Sequence, residues 1–119
     1  MRQVKVAVIQ ACPVLFDSEA TIARVQELTG RAAEEGAQLV LLPEAFVSGY
    51  PKGLDFGARI GSRTESGREM FRRYWDGAIN VPSASTKELG RIAREANVHL
   101  VIGVIERDSG TLNCTVLFF

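Results

Sequence analysis

The stretch from Val4 to Ala45 constrains the fold more than any other part of the chain. VKVAVIQ, Val4 to Gln10, sets Val4, Val6 and Val8 in alternation with Lys5, Ala7 and Ile9, and reads as a mostly buried β-strand. From Asp17 and Ser18 to about Glu35, the residues Ile22, Val25, Leu28 and Ala32 recur at spacings of three and four. That is one helical face, and Gly36 stands where a C-terminal cap belongs. AQLVLLPEA, Ala37 to Ala45, is a continuous apolar run, as expected of a strand buried on both faces. Strand, helix and strand of these lengths make a βαβ unit, with parallel strands and a right-handed crossover.

Beyond this unit the pattern dissolves into a long loop from Ser48 to Arg63, and long loops in compact domains are often functional. Glu65 to Ala78 is weakly helical, with Met70, Phe71, Tyr74, Trp75 and Ala78 on one side, and Val81-Pro82 breaks it. A clearer helix follows. Ser85 and Glu88 stand at capping-box spacing, Leu89, Ile92, Ala93 and Ala96 form its stripe, and Asn97 suits a left-handed cap. Val98 to Glu106 and TLNCTVLFF are strand-like and flank the turn signal Asp108-Ser109-Gly110, so a hairpin is expected. The expectation is an α/β fold in one domain, since 119 residues leave room for no more. The chain stops on Val116-Leu117-Phe118-Phe119, inside an apolar strand, so residues 1–119 are expected to be the front part of a longer, incomplete domain.

Net charge of zero and a pI near 6.6 give no electrostatic case for nucleic acid or an anionic membrane as partner. The apolar runs are too short to span a bilayer, and Lys5 interrupts the first of them, against a signal peptide. Two distant cysteines without metal-ligand spacing point to a reduced, cytoplasmic protein.

In an open α/β sheet, functional groups gather beyond the carboxyl ends of parallel strands. Pro43 cannot donate to a ladder and ends the second strand, which leaves Glu44 at that edge, ahead of the long loop. In an apolar setting its carboxyl would be pushed up, as suits a general base near neutrality. A structural glutamate accepting loop amides fits the position equally well. Cys12, past the end of the first strand, could pair with it as nucleophile, but no cation accompanies that thiol, and a small buried hydrophobe is the better reading. Cys114 shares a face with Leu112, Val116 and Phe118 and is expected in the core. His99 reads as a structural histidine rather than a metal ligand, because no second His or Cys is near it in sequence. Met70, Phe71, Tyr74 and Trp75 read as helix packing first and a ligand wall second. Arg68, Arg72 and Arg73 read as a solvated face. GARIGS, Gly57 to Ser62, lacks the GK[ST] of a phosphate loop and is dismissed.

VAVIQACPVLFDSEATIARV, LVLLPEAFVSGYP, GREMFRRYWDGAINVPSAST and VIGVIERDSGTLNCTVLFF resemble, in that order, the first third of a nitrilase. PEAF followed by GYP is specific for the carbon-nitrogen hydrolase superfamily; the later stretches resemble its nitrilase branch more than its amidase or carbamoylase branches. The resemblance implies the N-terminal part of a nitrilase-type αββα sandwich, a mixed sheet with outer helices, of which this chain would supply roughly four strands and two helices. It implies a Glu–Lys–Cys mechanism without metal or organic cofactor. Glu44 matches the base that takes the thiol proton, and Tyr50 matches a tyrosine near the substrate pocket. In the family, a lysine follows the TVLFF strand and the cysteine lies in a later Cys-Trp-Glu motif, so both are expected beyond Phe119, and Cys12 is not at the nucleophile position. The implied substrate is a small nitrile, converted to a carboxylic acid and ammonia by a parent that is a homo-oligomer, while the 119-residue chain alone is expected to be inactive. An amidase or N-carbamoyl hydrolase, or a truncated non-catalytic homologue, are the alternatives.

Overall fold

A computed structural model describes residues 1–58 and 63–119; the last four residues of GARIGS, 59–62, lie outside them. In chain order the elements are β1 (Val6–Val8), α1 (Ser18–Glu34), β2 (Leu39–Leu41), α2 (Glu65–Gly77), α3 (Ala84–Ala96), β3 (His99–Asp108) and β4 (Thr111–Phe118). One sheet of order β1-β2-β3-β4 joins the strands. β1, β2 and β3 are parallel, with Val6 opposite Leu39 and Leu39 opposite His99, and β4 returns antiparallel to β3. The expected βαβ unit and the hairpin are both present, and the fold is mixed α/β.

Local chemistry explains the boundaries. Asp17 caps α1, its Oδ1 accepting from the Ala20 amide at 2.9 Å, and the Gly36 amide closes the other end on the Ala33 carbonyl with φ of 87°. Asn97 ends α3 in the left-handed conformation, φ 53°. The start of α3 differs from expectation. The capping box is formed by Ser83 and Thr86, two residues earlier than the Ser85–Glu88 pair, with the Ser83 amide donating to Thr86 Oγ1 at 2.8 Å. Glu88 instead pairs with Arg91, which also reaches Glu95 and donates to Gln26 Oε1 on α1 at 3.2 Å.

The core lies between one sheet face and the packed pair α1 and α3. Ile22, Val25 and Ala32 from α1 and Leu89, Ile92 and Ala93 from α3 meet Val40, Leu100, Ile102 and Val104, with Leu117 and Phe119 against them. Fully buried side chains of this kind contribute about 1.5–3 kcal/mol each.

The opposite sheet face is open, which corrects three expectations. Along one row Val8, Leu41, Val101 and Phe118 are neighbours, and Val8 is 68% and Phe118 76% exposed. β1 is thus covered on one face only and is shorter than Val4 to Gln10, with Val4, Val6 and Val8 all exposed. β2 is buried at Val40 but exposed at Leu41, not enclosed on both sides. Cys114 is exposed rather than in the core, because the helices cover the Leu117–Phe119 face of β4 and not the face carrying Cys114, Val116 and Phe118. The resulting single layer is elongated: its Cα radius of gyration is 16.0 Å, against roughly 13.5 Å for a compact chain of this length.

Candidate functional site

Beyond Leu41 the backbone leaves the regular ladder and rejoins it, and this excursion carries Glu44. The Leu42 amide donates to the Val101 carbonyl at 2.9 Å, the Gly103 amide to the Pro43 carbonyl at 3.2 Å, and the Val47 amide to the Gly103 carbonyl at 3.2 Å. Val47 then bridges Val104 in parallel. Between these anchors, Pro43 to Phe46 arch over β3, with Ala45 at φ 49°. The arch fits only because position 103 has no side chain. A Cβ there would lie 2.5 Å from the Ala45 nitrogen and 2.6 Å from Glu44 Cα. Pro43 ends the strand as expected, and Glu44 sits at the carboxyl edge of the parallel strands.

The carboxylate meets a thiol. Cys114 Sγ donates to Glu44 Oε1 at 3.2 Å, so the residue assigned to the core belongs to the site, and Cys12, exposed in the loop after β1, is not the cysteine that Glu44 meets. Cys114 is placed by the hairpin register, which sets it opposite the buried Ile105. Burial pushes its thiol above the ordinary value and the neighbouring Glu44 adds to this, while the Ala45 amide works the other way. Glu44 itself is exposed, so the apolar enclosure expected for it is absent among the described residues.

Glu44 and Cys114 line a cleft of about 550 Å³ together with Tyr50, Pro51, Lys52, Gly53, Tyr74, Ile105, Leu112 and Asn113, a size suited to small molecules. Tyr50, expected near a substrate pocket, lines this cleft and is 58% exposed. Tyr74 enters from α2, where it stacks on Phe56 with centroids 5.4 Å apart and meets Phe16 edge-on at 5.9 Å. Burial pushes its phenol up, with Cys114 and Tyr50 adding to the effect. The aromatic side of α2 therefore both packs and lines the cleft. Below it, the Arg107 guanidinium donates to the Trp75 carbonyl at 3.2 Å and to Asn80 Oδ1 at 3.0 Å, tying the end of α2 to β3. Arg72 is engaged with Glu69 and Asp76 on an exposed face, as expected of a solvated surface. His99 is exposed at the start of β3.

Sequence reasoning missed Cys114, Lys52 and Asn113 as cleft residues, while Tyr74 takes the second of the two roles expected for the aromatic side of α2. The hairpin turn held part of the signal: counting back from Asp108-Ser109-Gly110 sets Cys114 opposite Ile105, two residues from Gly103. Nothing in the sequence indicated that Glu44 arches across that glycine. Chemically, the cleft offers a carboxylate able to accept a proton, a thiol and phenols able to donate, and the Lys52 ammonium group in its lining.

Comparison with known proteins gives the arrangement its context. An aliphatic nitrilase from Sinorhizobium fredii (strain HH103) is 50% identical over 119 residues, all of this chain and 39% of that protein. A bifunctional nitrilase/nitrile hydratase from Nicotiana tabacum is 49% identical over 116 residues, 98% of this chain and 33% of that protein. The chain thus spans about a third to two-fifths of the length of these relatives, matching their N-terminal part. In structure it resembles an amidase from Nesterenkonia sp., with a TM-score of 0.64 and 22% identity over 97% of this chain and 37% of that one, a likeness of fold. Residues 5–119 match the carbon-nitrogen hydrolase family, the arch bearing Glu44 included, and the chain belongs to that family.

Proposed function

We propose that this chain supplies the general base of a nitrilase, and that Glu44 is that base. The carrying observation is the placement of Glu44: a carboxylate held by the arch over Gly103 at the carboxyl edge of the parallel strands, lining a cleft of small-molecule size. In the reaction, Glu44 takes the proton of a cysteine thiol and returns it to the nitrile nitrogen as the thiolate adds to the nitrile carbon, forming a thioimidate. One water then displaces ammonia to leave a thioester, and a second water releases the carboxylic acid and frees the thiol, with a lysine stabilising the charged tetrahedral species. No metal or organic cofactor takes part. Tyr50 contacts the substrate from the cleft wall.

The nucleophile and the lysine are assigned to residues after Phe119, in the remainder of an αββα domain of which residues 1–119 form the first part. The open sheet face supports this, since Val8, Leu41, Val116 and Phe118 form an apolar surface of the kind a second sheet covers. Cys114 and Lys52 do not take those roles. The Cys114 thiol is pushed up, away from the thiolate that a nucleophile needs, and Lys52 lines the cleft but forms no ion pair with Glu44 among the described residues. The full-length parent is read as a homo-oligomer working in the cytoplasm, in keeping with two free cysteines.

Amide hydrolysis on the same fold is the second reading, favoured by the amidase likeness; one amidase of this fold, altered at a glutamate and a cysteine, is known in complex with acrylamide. Ammonia release by the full-length gene product from benzonitrile, a short aliphatic nitrile and the matching amides separates the two. Turnover of the nitriles supports the first reading, and turnover of amides alone replaces it with the second. The 119-residue chain is expected to release no ammonia from either nitrile; release that disappears on Glu44→Gln would place the whole mechanism inside this chain.

A further inference from the structure

We propose that Cys114 is a positioning residue for Glu44, its thiol holding one carboxylate oxygen so that the other is presented to the cleft. The inference rests on Glu44 being the base and adds a residue outside the Glu–Lys–Cys set.

A glutamate side chain turns about three torsions, and an exposed one samples many rotamers unless something holds its end. Among the described residues, the side-chain partner of Glu44 is Cys114, whose Sγ lies 3.2 Å from Oε1, which leaves Oε2 for the reacting proton. Both partners are fixed to the same strand. The Glu44 backbone is pinned by hydrogen bonds on either side of Gly103, and Cys114 faces Ile105 in the antiparallel ladder two residues further along. A contact built from two anchored backbones directs the carboxylate with little further ordering cost. The chemistry of the donor suits the task. A thiol is a weak donor, so it orients the oxygen without competing strongly for it. Burial and the charge of Glu44 keep it protonated at neutral pH, and therefore donating. Alanine offers no donor, whereas serine keeps one.

The test uses the full-length gene product with a turned-over nitrile, comparing Glu44→Gln, Cys114→Ala and Cys114→Ser. Cys114→Ala is expected to lower kcat by about fivefold to tenfold, the effect of losing one ordinary hydrogen bond from a weak thiol donor, with KM within about twofold. Cys114→Ser is expected to recover kcat to within about threefold of the unaltered protein, since the donor is retained. If Glu44→Gln is inactive and Cys114→Ala is unimpaired, or if Cys114→Ser is as impaired as Cys114→Ala, the positioning role is wrong and the base assignment stands. If Glu44→Gln keeps full activity, the base assignment itself fails. A second measurement needs no substitution at position 114. Iodoacetamide labelling of Cys114, followed by peptide mass mapping at pH 8, should be several-fold faster in Glu44→Gln, where the carboxylate no longer opposes thiolate formation. Equal labelling rates would mean that the thiol and carboxylate are not in contact, which overturns the proposal by a route independent of turnover.

Discussion

Replacing Gly103 with alanine should push the arch that carries Glu44 away from β3. The new Cβ would lie 2.5 Å from the Ala45 nitrogen, 2.6 Å from Glu44 Cα and 2.6 Å from the Pro43 oxygen. All three are backbone atoms, so no side-chain rotation relieves the overlap, and ordinary contact begins at 3.4 Å. The arch must retreat by most of an ångström. Two hydrogen bonds that hold it, Gly103 amide to Pro43 and Val47 amide to Gly103, already measure 3.2 Å each and would be stretched beyond useful length. Overpacking costs about 1–3 kcal/mol, and each of the two weakened hydrogen bonds roughly 1 kcal/mol, so the expected loss is about 3–5 kcal/mol. Urea unfolding measures it. With a slope of about 2 kcal/mol/M, the midpoint should fall by roughly 1.5–2.5 M at unchanged slope. Gly30→Ala is the control: it lies inside α1 with nothing within 4 Å of its Cβ position, and should gain roughly 0.5–1 kcal/mol. An unchanged midpoint for Gly103→Ala would refute the close crossing, and with it the reason Glu44 stands where it does.

Three further outcomes follow from the same structure. Ser83→Ala should destabilise the protein by about 1 kcal/mol in thermal or chemical unfolding, and Ser85→Ala by much less, because the α3 cap belongs to Ser83. Arg91 holds the Glu88 carboxyl below its ordinary range, so this pair stabilises the fold fully above that range and loses its effect as the pH falls through it and below. Melting temperatures at pH 6 and pH 3 should therefore differ less in Arg91→Ala than in the unaltered chain. The 119-residue chain should self-associate through its open sheet face, and sedimentation velocity should show less association for Phe118→Glu; a monodisperse monomer before substitution would contradict this.

The parts of the fold that rest on local periodicity were legible in the sequence. The α1 stripe from Ile22 to Ala32, the caps at Asp17 and Asn97, and the Asp108-Ser109-Gly110 hairpin turn all stand where residue chemistry puts them. What failed was the choice between two faces. Alternation shows that Cys114, Val116 and Phe118 share a face of β4, but not which face the helices cover, and apolar character pointed to the wrong one. The same ambiguity made β1 and β2 look buried on sides that are open. For the site, Pro43 was enough to locate Glu44 at a strand end, whereas its meeting with Cys114 depends on residues 70 positions apart in sequence. That contact follows from a crossing over Gly103 that no local pattern encodes. The Ser83–Thr86 capping box was missed for a simpler reason: Thr86 supplies the side chain at the position where Glu or Gln is usually sought.

If Glu44 takes the proton from the cysteine that attacks the substrate, as proposed, its loss must slow formation of the covalent intermediate. The most direct measurement is intact mass spectrometry of the full-length gene product, quenched during turnover of a nitrile and compared with Glu44→Gln. A covalent adduct of the nitrile on a cysteine after Phe119 is expected in the unaltered protein. In Glu44→Gln, adduct formation should slow by at least the roughly 100-fold typical of losing a general base. Adduct appearing in Glu44→Gln as fast as in the unaltered protein would contradict it.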